Sequence, residues 1–210
     1  MSAEETVGRQ PNGGQGVKKK ADLVLALLFS DAGTHTEPSP VVGITRLEKL
    51  LFLLTIDEGF LMGGQGVEGF NFVPFRMGPW TQEVYDEVDF LESLGLLSKE
   101  SGEKRSPADA VHDDELFGDL IIDKYQKSAA STSDEAEVFR LTEDGKKKAL
   151  SIWNRLTVEE QKKLLRVKQA FNTVDLRQLL RYVYKKHPEY TTESEIKEYL
   201  GLRASSEQHS

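Results

Sequence analysis

The spacing of apolar positions predicts a run of short helices interrupted by one aromatic strand. Leu23, Leu25, Ala26, Leu27, Leu28 and Phe29 follow Asp22 in a helix that is apolar nearly all round, a pattern suited only to burial. Two prolines and several small polar residues mark Asp31 to Pro40 as a loop. Thr45-Arg46-Leu47-Glu48 has the Thr-x-x-Glu form of a capping box. Behind it Leu47, Leu50, Leu51 and Leu54 make one stripe of a second helix, stopped near Gly59.

Residues 70–97 organise the rest. Phe70, Phe72, Val73 and Phe75 form a β-prone run through Arg76, and Met77-Gly78-Pro79-Trp80 breaks it. Gly78 is expected where a Cβ would clash. Thr81 is the expected N-cap of a third helix that carries Val84, Val88, Leu91 and Leu94, with Gly95 at its left-handed C-cap. Leu96-Leu97 starts an extended segment, and Glu137 to Thr142 is a second strand. A helix with Ala149, Leu150, Ile152 and Trp153 comes next. Thr157-Val158-Glu159-Glu160 is a second capping box, and its helix reaches about Phe171. A further helix carries Val174, Leu176, Leu179, Leu180 and Val183, and Thr192 to Glu195 is expected to cap a last short one with Ile196, Tyr199 and Leu200.

This order gives a mainly α, α+β fold: a winged-helix-like core with a C-terminal helical extension. An α+β domain of another topology is the alternative. The divisions are a disordered tail at 1–18 and the winged-helix-like domain at 19–156, which holds an acidic insertion at about 99–137. A helical extension follows at 157–203, then a second tail at 204–210. The glycine-rich repeat Gly13 to Val17 and Gly63 to Val67 lacks the Lys-Ser/Thr of a phosphate loop, and both copies read as flexible loops.

Three stretches resemble a known family. Arg46-Leu47-Glu48-Lys49-Leu50-Leu51-Phe52 is similar to the KLQKLLYF helix of the Panacea (SocA-like antitoxin) domain. Gly78-Pro79-Trp80 with Val84-Tyr85 resembles its GP…VY segment. Phe72 to Leu97, Phe139 to Gly145, and Leu179 to Tyr190 followed by Ser194-Glu195-Ile196 resemble related uncharacterised prokaryotic proteins described as predicted transcriptional regulators. The acidic insertion and Trp80 depart from the Panacea pattern. The resemblance implies a small regulatory or neutralising protein with no chemistry of its own.

Composition changes the picture in two ways. There is no cysteine, which excludes disulfides and thiolate metal sites and fits a cytoplasmic location. The longest apolar run, Leu23 to Phe29, is far short of the roughly 20 residues that span a bilayer. No secretory signal is visible in residues 1–18. The net charge of −8 is uneven. Residues 140–186 hold 13 Lys/Arg against 5 Asp/Glu, and the remainder holds 14 against 30.

No catalytic residue, metal site or cofactor is expected. His35, His112, His187 and His209 fall in no ligand spacing, and His112-Asp113-Asp114-Glu115 reads as a solvated acidic run. A divalent-ion site using Asp113, Asp114, Glu115, Asp119 and Asp123 is a remote third reading. The expected function is that of a non-enzymatic regulatory module that binds a protein partner, a toxin or a regulatory complex. Arg76, Gly78, Pro79, Trp80 and Tyr85 are its candidate contact residues. Trp80 and Tyr85 are either interface anchors or core residues. The alternative is a DNA-binding transcriptional regulator acting as a homodimer. Its cations would be Lys146, Lys147, Lys148, Arg155, Lys162, Lys163, Arg166 and Lys168, because the third helix carries five acids and no base.

Overall fold

The computed structural model describes residues 17, 19–34, 37–60, 69–101 and 137–202. Within them the chain is a mixed α+β protein with six α-helices and two small antiparallel sheets. Helix α1 (Lys20–Phe29) is buried on all sides and lies at the centre of the fold. It packs on α3 (Gln82–Ser93), α4 (Glu143–Trp153), α5 (Val158–Phe171) and strand β5 (Glu137–Leu141). Val17, assigned by the sequence to a disordered tail, is fully buried in the same core. The remaining tail residues through 16, the second glycine repeat, most of the acidic insertion, and His35, His112 and His209 lie outside the described residues.

Helix α2 (Ile44–Ile56) buries every residue from Leu47 to Leu54. The expected capping box at Thr45 does not form. Gly43 is the N-cap, at φ 86°, and Glu48 points into the core instead of back to the helix start. Arg46 ties this helix to the end of α5 by donating to the carbonyls of Phe171 (2.9 Å) and Val174 (2.6 Å).

The aromatic strand is shorter than its composition suggests. Phe70 and Phe72 turn inward, with Phe72 edge-on to Phe52, and only β2 (Val73–Phe75) pairs. The segment read as a break is β3 (Gly78–Trp80). A two-residue turn, Arg76-Met77, folds it back antiparallel, with Val73 opposite Trp80 and Pro74 opposite Pro79. Thr81 then caps α3, its Oγ1 accepting from the Glu83 N–H at 3.3 Å.

The second sheet has the order β1-β5-β4, with β1 (Val41–Val42) and β4 (Leu97–Ser101) on either side of β5. The two-residue β1 lies just past the loop read at Asp31 to Pro40, where the sequence pattern assigns no element; two valines carry too little period-2 pattern to mark a strand. Thr142 caps α4 through the Gly145 N–H. A Cβ at Gly145 would stand 1.9 Å from the Leu96 carbonyl oxygen, so only glycine lets α4 start flush against the turn after α3.

The capping box of α5 forms as expected, with Thr157 and Glu160 each bonding the other's backbone N–H. Helix α6 (Leu176–Lys186), capped by Asp175, runs into a 3-10 turn at Pro188–Thr191. The last expected helix is absent. Residues 192–202 are a chain of turns that bury Ile196 and Leu200, with too few backbone bonds in sequence to make a helix. Leu164, Val167, Leu179, Leu180, Val183 and Tyr184 join the core cluster of α1 and α2, so the C-terminal helices share one core with the rest.

Candidate interaction site

The hairpin β2–β3 is held from inside by two charged residues of α2. Glu48 and Lys49 are both buried. The Lys49 ammonium donates to Glu48 Oε2 and to the Pro79 carbonyl, each at 2.6 Å, and Glu48 Oε1 accepts from the Thr81 N–H at 3.0 Å. Burial pushes the Glu48 carboxyl up, and the Lys49 ammonium and the Thr81 N–H pull against that. A buried ion pair contributes little net stability, but either member left alone would be an uncompensated charge. The geometry therefore fixes the backbone on both sides of Trp80.

Outside, Trp80 leans on Phe75 with centroids 5.1 Å apart, and it hydrogen-bonds Tyr85 one turn into α3. Burial, reinforced by the Glu48 carboxylate, pushes the Tyr85 phenol well above its ordinary range. Val73, cross-strand from Trp80, is 47% exposed. Trp80 and Tyr85 are each half-buried, so the two readings of Trp80 are not exclusive.

The hairpin tip is gripped by the C-terminal segment. Arg76 Nε sits 3.1 Å from Glu195, and the Glu195 N–H donates to the Arg76 carbonyl at 3.0 Å. Gly78, at φ 86°, lies under the Tyr184 ring, where a Cβ would come 2.8 Å from Cε2. The Tyr184 hydroxyl is 2.7 Å from Ser194 Oγ. Arg76, Gly78, Pro79, Trp80 and Tyr85 thus lie together. Glu48, Lys49 and Tyr184 were missing from that set. Their signal was there to read: Glu48 and Lys49 precede five apolar residues in a row, Leu50 to Leu54, which leaves the helix no wet side.

The candidate DNA-binding cations are spread over two helices and the turn between them, and most meet acids. Lys168 is the clear correction. It is 1% exposed, and its ammonium donates to the Leu28 carbonyl and to Asp31 Oδ1, both at 2.6 Å, so it cannot reach a phosphate. Burial pulls its pKa down against the hold of Asp31. Lys163 donates to the Glu58 carbonyl (2.6 Å), and Arg166 pairs with the Glu58 carboxylate (2.8 Å). Lys146 pairs with Glu37 and Glu143, Lys147 with Asp144 at 2.9 Å, and Arg155 approaches Asp22 at 3.8 Å. Lys148 and Lys162 are exposed. The charge asymmetry along the chain becomes local pairing in space.

Among the described residues no helix is long and apolar enough to cross a membrane, and no three His, Asp or Glu side chains are placed to hold a metal ion. No family model matches the chain, and no curated protein or solved structure matches it at significance.

Proposed function

We propose that this protein is a non-enzymatic regulatory module, antitoxin-like or regulator-like, that works in the cytoplasm by binding a protein partner through the outer side of the β2–β3 hairpin. The carrying observation is the aromatic pair Phe75–Trp80 beside half-exposed Val73, on a hairpin fixed from within by Glu48 and Lys49. A rigid apolar surface with an aromatic anchor loses little freedom on binding, which is what interface hot spots require. A winged-helix-like scaffold is the finer reading of the fold. Three helices with a β1-β5-β4 sheet support it, and the β2–β3 hairpin is an addition to that pattern.

Capture from the native host by tagged wild type, against Val73→Asp and Trp80→Ala, tests this. Val73→Asp should keep the thermal midpoint, since exposed sites seldom change stability by more than about 0.5 kcal/mol, and should lose the partner. Trp80→Ala should lower both, because the ring is partly buried. A partner held equally by all three proteins would sink the hairpin reading. DNA binding by the basic helices has less support, because Lys168, Lys163 and Arg166 are engaged internally. A duplex titration between about 50 and 200 mM salt that shows steep weakening would revive it.

A further inference from the structure

Helix α3 is two-faced. Val84, Val88 and Leu91 are buried in the core. On the other side Phe90 and Leu94 are 51% and 54% exposed, one helical turn apart, and neither belongs to the core cluster. Asp86, one turn before Phe90, and Asp89 are exposed beside them, Glu92 is exposed on the flank away from Phe90, and Glu83 and Glu87 are half-buried nearer the helix start. The local cations are Lys99, which pairs with Asp89 (2.5 Å) and Glu92 (2.9 Å), Lys20, which pairs with Glu83 (2.7 Å), and exposed Lys19 near Glu87. Negative charge is in excess on this face. Burial pushes the Glu87 carboxyl up, and the like charges of Asp86 and Glu83 add to that against the pull of Lys20.

The charge selects the occupant. Phosphate backbones and anionic surfaces would be repelled. A second copy of this chain is a poor occupant, because it carries the same net charge of −8 and most cations among the described residues, Lys146, Lys147, Arg166, Lys168 and Lys186 with them, already engage their own chain. We infer that the outer face of α3 docks a cationic amphipathic segment of another protein. Its apolar residues would cover Phe90 and Leu94, and its Lys or Arg would meet Asp86 and Asp89. This rests on the protein-binding reading and adds a second contact to the hairpin.

The test uses a fluorescein-labelled Leu/Lys peptide, with leucines at i, i+3, i+4 and i+7 and lysines elsewhere, titrated by anisotropy against the full chain. Saturable binding that weakens with salt is expected. Phe90→Ser/Leu94→Ser and, separately, Asp86→Lys should each reduce affinity about tenfold or more, while Leu150→Ser/Val158→Ser, an exposed apolar pair on α4 and α5, should not. All three should melt with wild type. Absence of saturable binding at low salt, or an equal loss in the control pair, overturns the inference. Val73→Asp should leave the peptide affinity unchanged, so failure of the α3 face and failure of the hairpin reading are read separately.

Discussion

Nε2 of His187 lies 2.5 Å from Oδ1 of Asp57, joining the C-terminal end of α6 to that of α2. Asp57 is an acid at a helix C-terminus, where the dipole disfavours it. Lys186 at 2.7 Å and the Tyr182 hydroxyl at 3.4 Å converge on its other oxygen and offset that. The neighbouring Glu58 receives Lys163 and Arg166 of α5. The end of α2 is thus one of the points where the C-terminal helices fasten to the rest.

Removing that fastening should be felt in stability. Asp57→Ala leaves the His187 ring nitrogen and the Lys186 ammonium without this acceptor, at a cost of about 1–3 kcal/mol. Urea unfolding should show a lower midpoint, while partner capture per folded molecule stays unchanged. An unchanged midpoint would mean the contact contributes nothing in solution.

Gly78→Val meets two obstacles at once: a left-handed φ of 86° and the Tyr184 ring 2.8 Å from the new Cβ. A loss of about 1–3 kcal/mol is expected from the backbone strain alone. Gly78→Ala combined with Tyr184→Leu separates the causes. Relative to Tyr184→Leu alone, adding Gly78→Ala should then cost less than it does in wild type, because only the φ strain is left.

Glu48 and Lys49 should behave as a unit. Glu48→Leu strands a buried ammonium and Lys49→Met strands a buried carboxylate, each costing on the order of 3–5 kcal/mol. The double variant should be far less destabilised than the sum, with only the Thr81 N–H and Pro79 carbonyl left unpaired. A double-mutant cycle measures the coupling, and additive losses would refute the pairing.

Two glutamates should give stability opposite pH slopes. Burial would raise Glu83, but donation from Lys20 and from Asn71 outweighs it, so its folded pKa lies below the ordinary value. Between the two values the unfolded chain binds more protons. That contribution is present above the ordinary value and lost as pH falls through the folded one. For Glu48, raised by burial, the folded chain binds more protons, and stability is lost as pH rises through its folded pKa. Thermal melts across pH should show Glu83→Gln flattening the acid limb and Glu48→Gln flattening the decline above the ordinary carboxylate range. Swapped effects would contradict these assignments.

What local chemistry decides was legible in the residues. Thr81 and Thr157 cap because their partners lie two and three residues on, within one turn of chain. Thr45 fails for a reason no local pattern carries. The Glu48 that should complete its box is claimed by Thr81, 33 residues away. Lys168 looked like a phosphate ligand because helical spacing gives its neighbours on α5. Spacing does not reveal that this side turns onto Asp31, 137 residues earlier. The hairpin was half seen. Gly78 was placed correctly as a position closed to side chains, yet Pro79 made β3 look like an end to pairing.

The facing prolines of that hairpin restrict how it can be recognised. Beside a two-residue turn, Phe75 and Gly78 form the mutually bonded pair, so the next pair, Pro74 and Pro79, directs its backbone groups outward. Proline has no N–H to offer there, and Lys49 already occupies the outward carbonyl of Pro79. Neither edge can therefore template an added strand in the usual way, which shields the exposed Val73 and half-buried Trp80 from edge-to-edge aggregation. Whatever binds this hairpin must read its side chains, so its specificity rests with Phe75, Trp80 and Val73 rather than with a backbone ladder open to any extended peptide.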